Sequence, residues 1–439
     1  MFYIVESDIQ LNLLERYNVS PAYLEVISSN DLLHPKLSST LAVYIRPLDL
    51  DRGFILPIDH PEGLNIGKDR VYELLKSFKE LFVYDRKNVL YHFNLPNTSD
   101  VGLIYCIENF DKLDVPSFND LNWFYNKFTD YTPVNKFIPI SKLFERSEKN
   151  FDYLKEHCKE DKPISYDFYN TVATNVFFLI EQTGLGIYYE AYKELFSPRD
   201  PKLNTFNNTV YTSYNLYNVT SRPTNSFNSV NYAAIPKTPQ HRKSFKPTND
   251  FYVEFDFDGY HLRLLAEQID FELSSESAHK QLAKLYFDKD EITDEEYAEA
   301  KQINFQAIYG KIPTKLKKLE IFVKIQKFID EIWNEFKHKE YLAPISSRPF
   351  NKKLKGMHSQ KLMNYVMQSL ETSRNVLILK EVLKYLKNKK TKIALYTYDA
   401  ILFDFSKDDG KETLNDIEKI MSQNDKYPVK FKFSKDLVL

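Results

Sequence analysis

From Phe251 to Asp258 the chain reads Phe-Tyr-Val-Glu-Phe-Asp-Phe-Asp, and Gly259 follows. Side chains of a strand alternate between two faces, so Phe251, Val253, Phe255 and Phe257 share one side and Glu254, Asp256 and Asp258 the other. Such a strand lays one face on a core and turns carboxylates toward solvent or a ligand. After the glycine break, Leu262, Leu265, Ala266 and Ile269 recur at helical spacing. Further on, Ile393–Thr397 and Ile401–Phe405 read as strands joined through Tyr398-Asp399-Ala400, a hairpin with an aspartate at its tip.

The rest of the chain mixes both element types. Leu41–Arg46 and Gly53–Pro57 read as strands and Val71–Phe82 as a helix. Asp167–Gly184 reads as a helix stopped by its glycine, followed by a loop region over Ser197–Ser229 with room for a short strand in Thr209–Tyr217. Asp294–Gly310, Ile321–Phe336 and Leu362–Leu386 have helical period, the last with room for an interruption. The expected class is α+β, a mixed α/β fold, and 439 residues suffice for two or three domains.

Each aspartate alone has an ordinary explanation as a solvated strand-end or turn residue. As a pair on adjacent strands, Asp256 and Asp399 could hold two Mg²⁺ ions for a phosphoryl transfer. Spacing leaves Asp258 and Asp404 open as rival ligands. Tyr297, Lys301, Phe305 and Tyr309 lie four apart and form one helix stripe. A core face would not accept the Lys301 ammonium. A lysine between planar rings suits a triphosphate with a base stacked beside it.

Bulk properties narrow little. The formal net charge is −2, with basic clusters at His241–Lys246, Lys315–Lys318, Lys352–Lys355 and Lys384–Lys392. A nucleic-acid cleft needs only local positive charge. The two cysteines, Cys106 and Cys158, cannot build a disulfide framework or a cysteine zinc site, which points to a reducing compartment. No signal peptide and no membrane-length apolar run is apparent, so a soluble, cytoplasmic protein is expected.

Three segments carry a specific resemblance. Phe255-Asp-Phe-Asp-Gly-Tyr-His-Leu-Arg-Leu-Leu-Ala266 resembles the first carboxylate motif of family A (polymerase I–like) DNA polymerases. Lys301-Gln-Ile-Asn-Phe-Gln-Ala-Ile-Tyr-Gly310 is similar to their nucleotide-binding finger helix, and Tyr396-Thr-Tyr-Asp-Ala400 to their second carboxylate motif. Smaller likenesses agree in order: Ile180–Ile187, Thr220–Ser226 with Arg222, Asn231–Pro236, Arg242–Phe245, and Asn364–Gln368. His279 stands where the family has a phosphate-contacting histidine.

The resemblance implies a right-hand polymerase with palm at about 180–270 and 345–439 and fingers at about 271–344, within a polymerase domain at 166–439. It implies primer–template DNA and deoxynucleoside triphosphates as partners, and two Mg²⁺ on Asp256 and Asp399, with Mn²⁺ able to substitute. Lys301 and His279 would meet the triphosphate, Phe305 the sugar and Tyr309 the templating base. Arg222, Asn231, Arg242, Asn364 and Gln368 would contact the duplex backbone or minor groove, which positions DNA without reading its sequence.

Departures from the family pattern are equally concrete. Tyr297 replaces an arginine one turn before Lys301. His261, at the nucleotide site, replaces a glutamate that crowds the ribose 2′ position, which predicts relaxed ribonucleotide discrimination. Tyr398 and Ala400 replace the His and Glu that flank the second aspartate. The Ile187–Arg222 segment is much shorter than the family thumb, which predicts low processivity unless a processivity or single-strand-binding protein compensates. Residues 1–165 resemble an RNase H-like 3′→5′ exonuclease domain that has lost its metal ligands: Tyr44-Ile-Arg46 stands for D-x-E on the first strand, and Asn97 or Thr98 for a later aspartate. AT-rich residue usage and the lean architecture point to a bacteriophage-type member acting in the host cytoplasm. A catalytically silent DNA-binding relative and an RNA-making polymerase are the rival readings; an unrelated two-metal nuclease would leave the Lys301–Tyr309 stripe unexplained.

Overall fold

The computed structural model describes residues 3–115, 134–197, 205–227, 230–309 and 312–438. Two compact units emerge: Met1–Tyr166 with Lys193–Ser213 and Ser226–Val230, and Asp167–Tyr192 with Tyr214–Asn225 and Asn231–Leu439.

The first unit is built on a five-stranded sheet: β1 (Ala22–Ser28), β2 (Thr40–Pro47), β3 (Phe54–Pro57), β4 (Leu81–Val83) and β5 (Thr98–Asp100), in the order β3-β2-β1-β4-β5. β1 to β3 form an antiparallel meander, and β4 and β5 extend it in parallel. Alternate β1 residues serve two layers. Leu24 and Val26 join Val71, Leu74 and Leu75 of helix α1 (Lys68–Ser77) in one apolar cluster. On the opposite face Tyr23 meets Phe151 of α2 (Ile140–Leu154), ring centroids 5.6 Å apart. Two readings are corrected here. The helix expected over Val71–Phe82 stops at Ser77, because Leu81-Phe82-Val83 is drawn into parallel pairing between β1 and β5. Tyr44 to Arg46 lie on the second strand; the first carries Glu25, which faces Tyr44 across the pair. A central strand covered on both sides shows a nearly continuous apolar run, so period-2 reading passes over it.

The second unit opens with a π-helical turn, Phe168–Ala173, running into α3 (Thr174–Glu181), and Gly184 beyond it takes φ 70°. Its main sheet comprises β6 (Phe251–Phe257), β7 (Lys392–Tyr396), β8 (Ala400–Phe405) and β9 (Val429–Ser434), ordered β7-β8-β6-β9 and antiparallel throughout. The aromatic face of β6 packs as its alternation requires: Phe255 lies edge-on to Phe403 at 5.4 Å and Phe251 stacks on Phe405 at 5.1 Å. Its polar face sets Glu254 and Asp256 opposite Lys432 and Lys430 of β9, a pairing of opposite charges across strands.

Helices α4 (Tyr260–Gln268), α5 (Ala278–Phe287), α6 (Asp294–Ile308), α7 (Glu320–His338) and α8 (Ser359–Tyr385) complete this unit. Gly259 takes φ +60° between β6 and α4, and a Cβ there would stand 3.0 Å from that of Ala278, so the turn accepts little else. A capping box starts α6: Thr293 Oγ1 accepts from Glu296 N–H at 3.2 Å and the Glu296 carboxylate accepts from Thr293 N–H at 3.0 Å. The helix ends at Ile308 rather than Gly310, and Gly310 lies outside the described residues. Helix α8 runs 27 residues without interruption. It is apolar on several sides because other elements enclose it.

Candidate active site

The hairpin β7–β8 brings the two motif aspartates together. In register, Asp256 faces Ala400, and Phe257 N–H donates to the Asp399 carbonyl at 3.0 Å. The two carboxylates therefore stem from neighbouring positions of adjacent strands. Their electrostatics bear this out. Burial, then the facing Asp399 and Glu254, push the Asp256 carboxyl up to about 6. Burial, then Glu371, raise Asp399 above the usual carboxylate range, and burial raises Glu254 as well. A concentration of acids that resists ionisation is what a bound cation relieves, and hard carboxylate oxygens suit Mg²⁺ or Mn²⁺. Among the described residues no group of three or more His, Cys, Asp or Glu side chains is placed to hold a metal ion, so the protein offers two carboxylates at this position rather than a complete ligand set.

Both rival aspartates are engaged elsewhere. Asp258 accepts from Ala278 N–H at 3.1 Å and from Lys430 at 2.8 Å. Burial alone would raise its pKa, but these donors bring it below the ordinary value. Asp404, 2% exposed, accepts from the Thr248 N–H at 3.0 Å, the Asn249 N–H at 2.9 Å and the Thr248 hydroxyl. It stands opposite Phe251's neighbour Tyr252, at the far end of β8 from Asp399. These two carboxylates hold backbone in place.

The α6 stripe is open rather than packed. Lys301 is exposed, Phe305 is 61% exposed, and Tyr297 and Tyr309 are half-buried. Phe305 and Tyr309 meet edge-to-face at 5.5 Å. A phenyl ring left this exposed beside a lysine is not core packing. His279 projects from the start of α5, its Nδ1 3.0 Å from the Asn304 amide. With Nδ1 accepting, the neutral ring carries its proton on Nε2. Burial, then the nearby Lys301 ammonium, lower its pKa, while Asp258 acts the other way. His279 is thus a neutral donor at pH 7, not a cation.

The duplex-contact candidates fall into two groups. Tyr214–Asn215 pairs with Thr224–Asn225 and so fixes the intervening turn that holds Thr220 and Arg222. The Thr220 hydroxyl donates to Gln368 Oε1 at 3.2 Å, and the Gln368 amide donates to Asn364 Oδ1 at 3.0 Å. Arg222 Nε stands 2.9 Å from Glu371, and His261 Nε2 stands 3.0 Å from the same carboxylate. Arg242 lies apart, donating to the Leu437 carbonyl at 3.0 Å, and Asn231 is exposed at the start of a 3₁₀ turn, Tyr232–Ala234. Glu371 escaped the sequence reading. Its signal was the polar stripe Asn364, Gln368, Glu371 and Asn375, spaced four, three and four along one face of the helix.

A carboxylate pair on an antiparallel sheet thus shares one unit with an open lysine–aromatic helix. The sequence model of DNA polymerase family A matches residues 187–437, more than half of the chain. The chain belongs to DNA polymerase family A and is a DNA-directed DNA polymerase. Among solved structures it is similar to the polymerase domain of Pol1 from M. smegmatis, determined in complex with DNA primer-template and dNTP. That likeness has a TM-score of 0.69 at 12% identity and covers 99% of each chain, so it concerns the fold. No curated protein matches by sequence. Among the described residues, no helix is long and apolar enough to cross a membrane.

Proposed function

We propose that the chain extends a primer 3′ end with deoxynucleoside triphosphates on a DNA template, using Asp256 and Asp399 as the carboxylates that hold two Mg²⁺ ions, with Mn²⁺ able to substitute. The observation that carries this is the Asp256–Asp399 pairing across β6 and β8, with Asp256 raised by burial and then by Asp399, and Asp399 raised by burial and then by Glu371. When bound, the cations supply Lewis-acid activation of the primer hydroxyl and neutralisation of the triphosphate.

The chain's own residues do the rest. Lys301 contributes charge to the triphosphate, and His279 contributes an Nε2–H hydrogen bond. Phe305 and Tyr309 offer ring faces to sugar and base. Arg222, Gln368 and Asn364 form a polar ledge suited to the duplex minor groove, with Arg242 and Asn231 farther along. The palm corresponds to about 180–270 and 345–439 and the fingers to about 271–344, with the thumb reduced. Low processivity without a clamp or single-strand-binding partner follows from that reduction. Primer extension with Mg²⁺ and deoxynucleotides tests the assignment: Asp256→Ala and Asp399→Ala are each expected to abolish extension, and extension that persists in both variants refutes it.

The first unit reads as an exonuclease-type domain without the reaction. Its sheet order, β3-β2-β1-β4-β5, is that of RNase H-like folds. On β1, where metal-binding acids would stand, Glu25 meets a cation of the protein's own: Arg146 lies 3.5 Å from Glu25 and 3.4 Å from Asp31. These residues line a cavity of about 410 Å³ with Tyr84, Asp85 and Asn88. A guanidinium there competes with metal ions for the same carboxylates. Metal-dependent release of nucleotides from a mismatched 3′ end would overturn this.

A further inference from the structure

Glu371 lies in the middle of α8, 1% exposed, where a carboxylate is costly unless something requires it. Two basic side chains from elsewhere in the chain converge on it: Arg222 at 2.9 Å and His261 at 3.0 Å. Neither approach is aligned as a hydrogen bond, and Glu371 Oε2, Arg222 Nε and His261 Nε2 all lack one. For Arg222 the contact is ionic proximity, and for His261 close approach, rather than a closed hydrogen-bond network.

Arg222 has a second face. Its guanidinium lies 3.8 Å from the centroid of the Tyr398 ring. Tyr398 immediately precedes Asp399 and takes φ +76°, a left-handed conformation that a residue bearing a bulky ring rarely adopts. Such a turn persists only where its surroundings over-determine it. The surroundings come from the same helix face. One turn beyond Glu371, the Asn375 amide donates to the Tyr398 carbonyl at 2.7 Å and lies 2.9 Å from the Tyr396 hydroxyl. The turn is therefore gripped at its backbone by Asn375 and at its ring by Arg222, which Glu371 in turn holds. Among the described residues no other acid lies within ion-pair distance of Arg222 or His261, and both also act electrostatically on Asp399.

We propose that Glu371 is a positioning residue for the polymerase reaction: through Arg222 stacked on Tyr398 it holds the turn that presents Asp399, and it fixes His261 beside that turn. This rests on the polymerase reading above. A merely structural Glu371 would alter stability alone. A Glu371 acting only by its charge would leave Tyr398 irrelevant. The stacking step separates these cases.

The test measures single-turnover primer extension and, independently, Mn²⁺ affinity of the protein by electron paramagnetic resonance. Glu371→Gln and Tyr398→Ala are each expected to lower the maximal rate and Mn²⁺ affinity by about 10–100-fold, the range seen when partners behind a metal ligand are lost, with the deoxynucleotide KM within about threefold of wild type. Tyr398→Phe keeps the ring and is expected to keep both values. The double variant Glu371→Gln/Tyr398→Ala is expected to be no worse than the poorer single, because both act through one contact. Tyr398→Ala, on a half-exposed turn, remains informative even if Glu371→Gln fails to fold. Wild-type rate and Mn²⁺ affinity in Tyr398→Ala, or losses that multiply in the double variant, would overturn the inference. A wild-type protein that extends no primer overturns the polymerase reading and this inference together; normal extension by wild type with both single variants unaffected overturns this inference alone.

Discussion

Replacing Asp256 by Asn should make the protein more stable while abolishing its activity. The Asp256 carboxyl is raised from its ordinary 3.8 to about 6 by burial and by Asp399 and Glu254. Because the folded state holds the proton more tightly than the unfolded chain, stability falls as pH rises between these values, and the penalty is complete above about 6. Fully enclosed, that displacement would correspond to about 3 kcal/mol; Asp256 is only partly desolvated and keeps contact with solvent, and screening leaves about 1 kcal/mol. Asp256→Asn removes the charge at all pH values. Thermal melts in the presence of a chelator at pH 7.5 should show the variant about 1–2 °C above wild type. At pH 5 wild-type Asp256 is already mostly protonated in the folded state, and the gain should shrink to about half. Adding Mg²⁺ should raise the wild-type melting temperature and leave the variant behind. A variant that melts at or below wild type at pH 7.5, or gains equally at both pH values, refutes the crowded-carboxylate account.

Proton competition at the same site predicts that Mn²⁺ affinity, followed by electron paramagnetic resonance, weakens by roughly tenfold per pH step below about 6 and levels off above it; a flat profile from pH 5 to 8 would contradict it. Lys301→Ala should raise the deoxynucleotide KM by about 10–100-fold, the worth of one charged hydrogen bond, without moving the melting temperature, since Lys301 is exposed. Asp404→Ala strands two backbone N–H groups and should cost about 1–3 kcal/mol in urea unfolding while leaving Mn²⁺ affinity intact, the reverse of Asp256→Asn. Asp404→Ala protein that loses Mn²⁺ binding would restore it as a metal ligand.

The elements nearest the chemistry were legible because their periodicities are local. Strand β6 alternates, its glycine break is real, and the β7–β8 hairpin differs from its expected ends by one residue. Helix α6 announces its start with Thr293 and Glu296. Less was legible where several layers enclose an element. β1 shows no alternation because both its faces are covered, so the sequence reading takes Tyr44 to Arg46, which lie on β2, as first-strand residues. Leu81 and Phe82 continue a helical apolar pattern, which predicts helix as far as Phe82, but strand pairing with β1 and β5 draws them away. Glu371 sits among apolar and small neighbours in a long helix, where a single carboxylate has no local meaning.

Motif order and residue type, read along the chain, were enough for the kind of chemistry: carboxylates on a strand and a hairpin tip, and a lysine among rings on a helix. Spacing alone leaves Asp258 and Asp404 as rivals of Asp256 and Asp399, since all four lie on or beside the same two strands; the family resemblance favours the latter pair. What the structure adds is a physical distinction, made by partners far away in sequence. Lys430 and Ala278 claim Asp258, and Thr248 and Asn249 claim Asp404. Glu254 and Glu371 crowd the remaining two. A carboxylate's role depends on which donors and charges surround it, and only the folded chain assembles those surroundings.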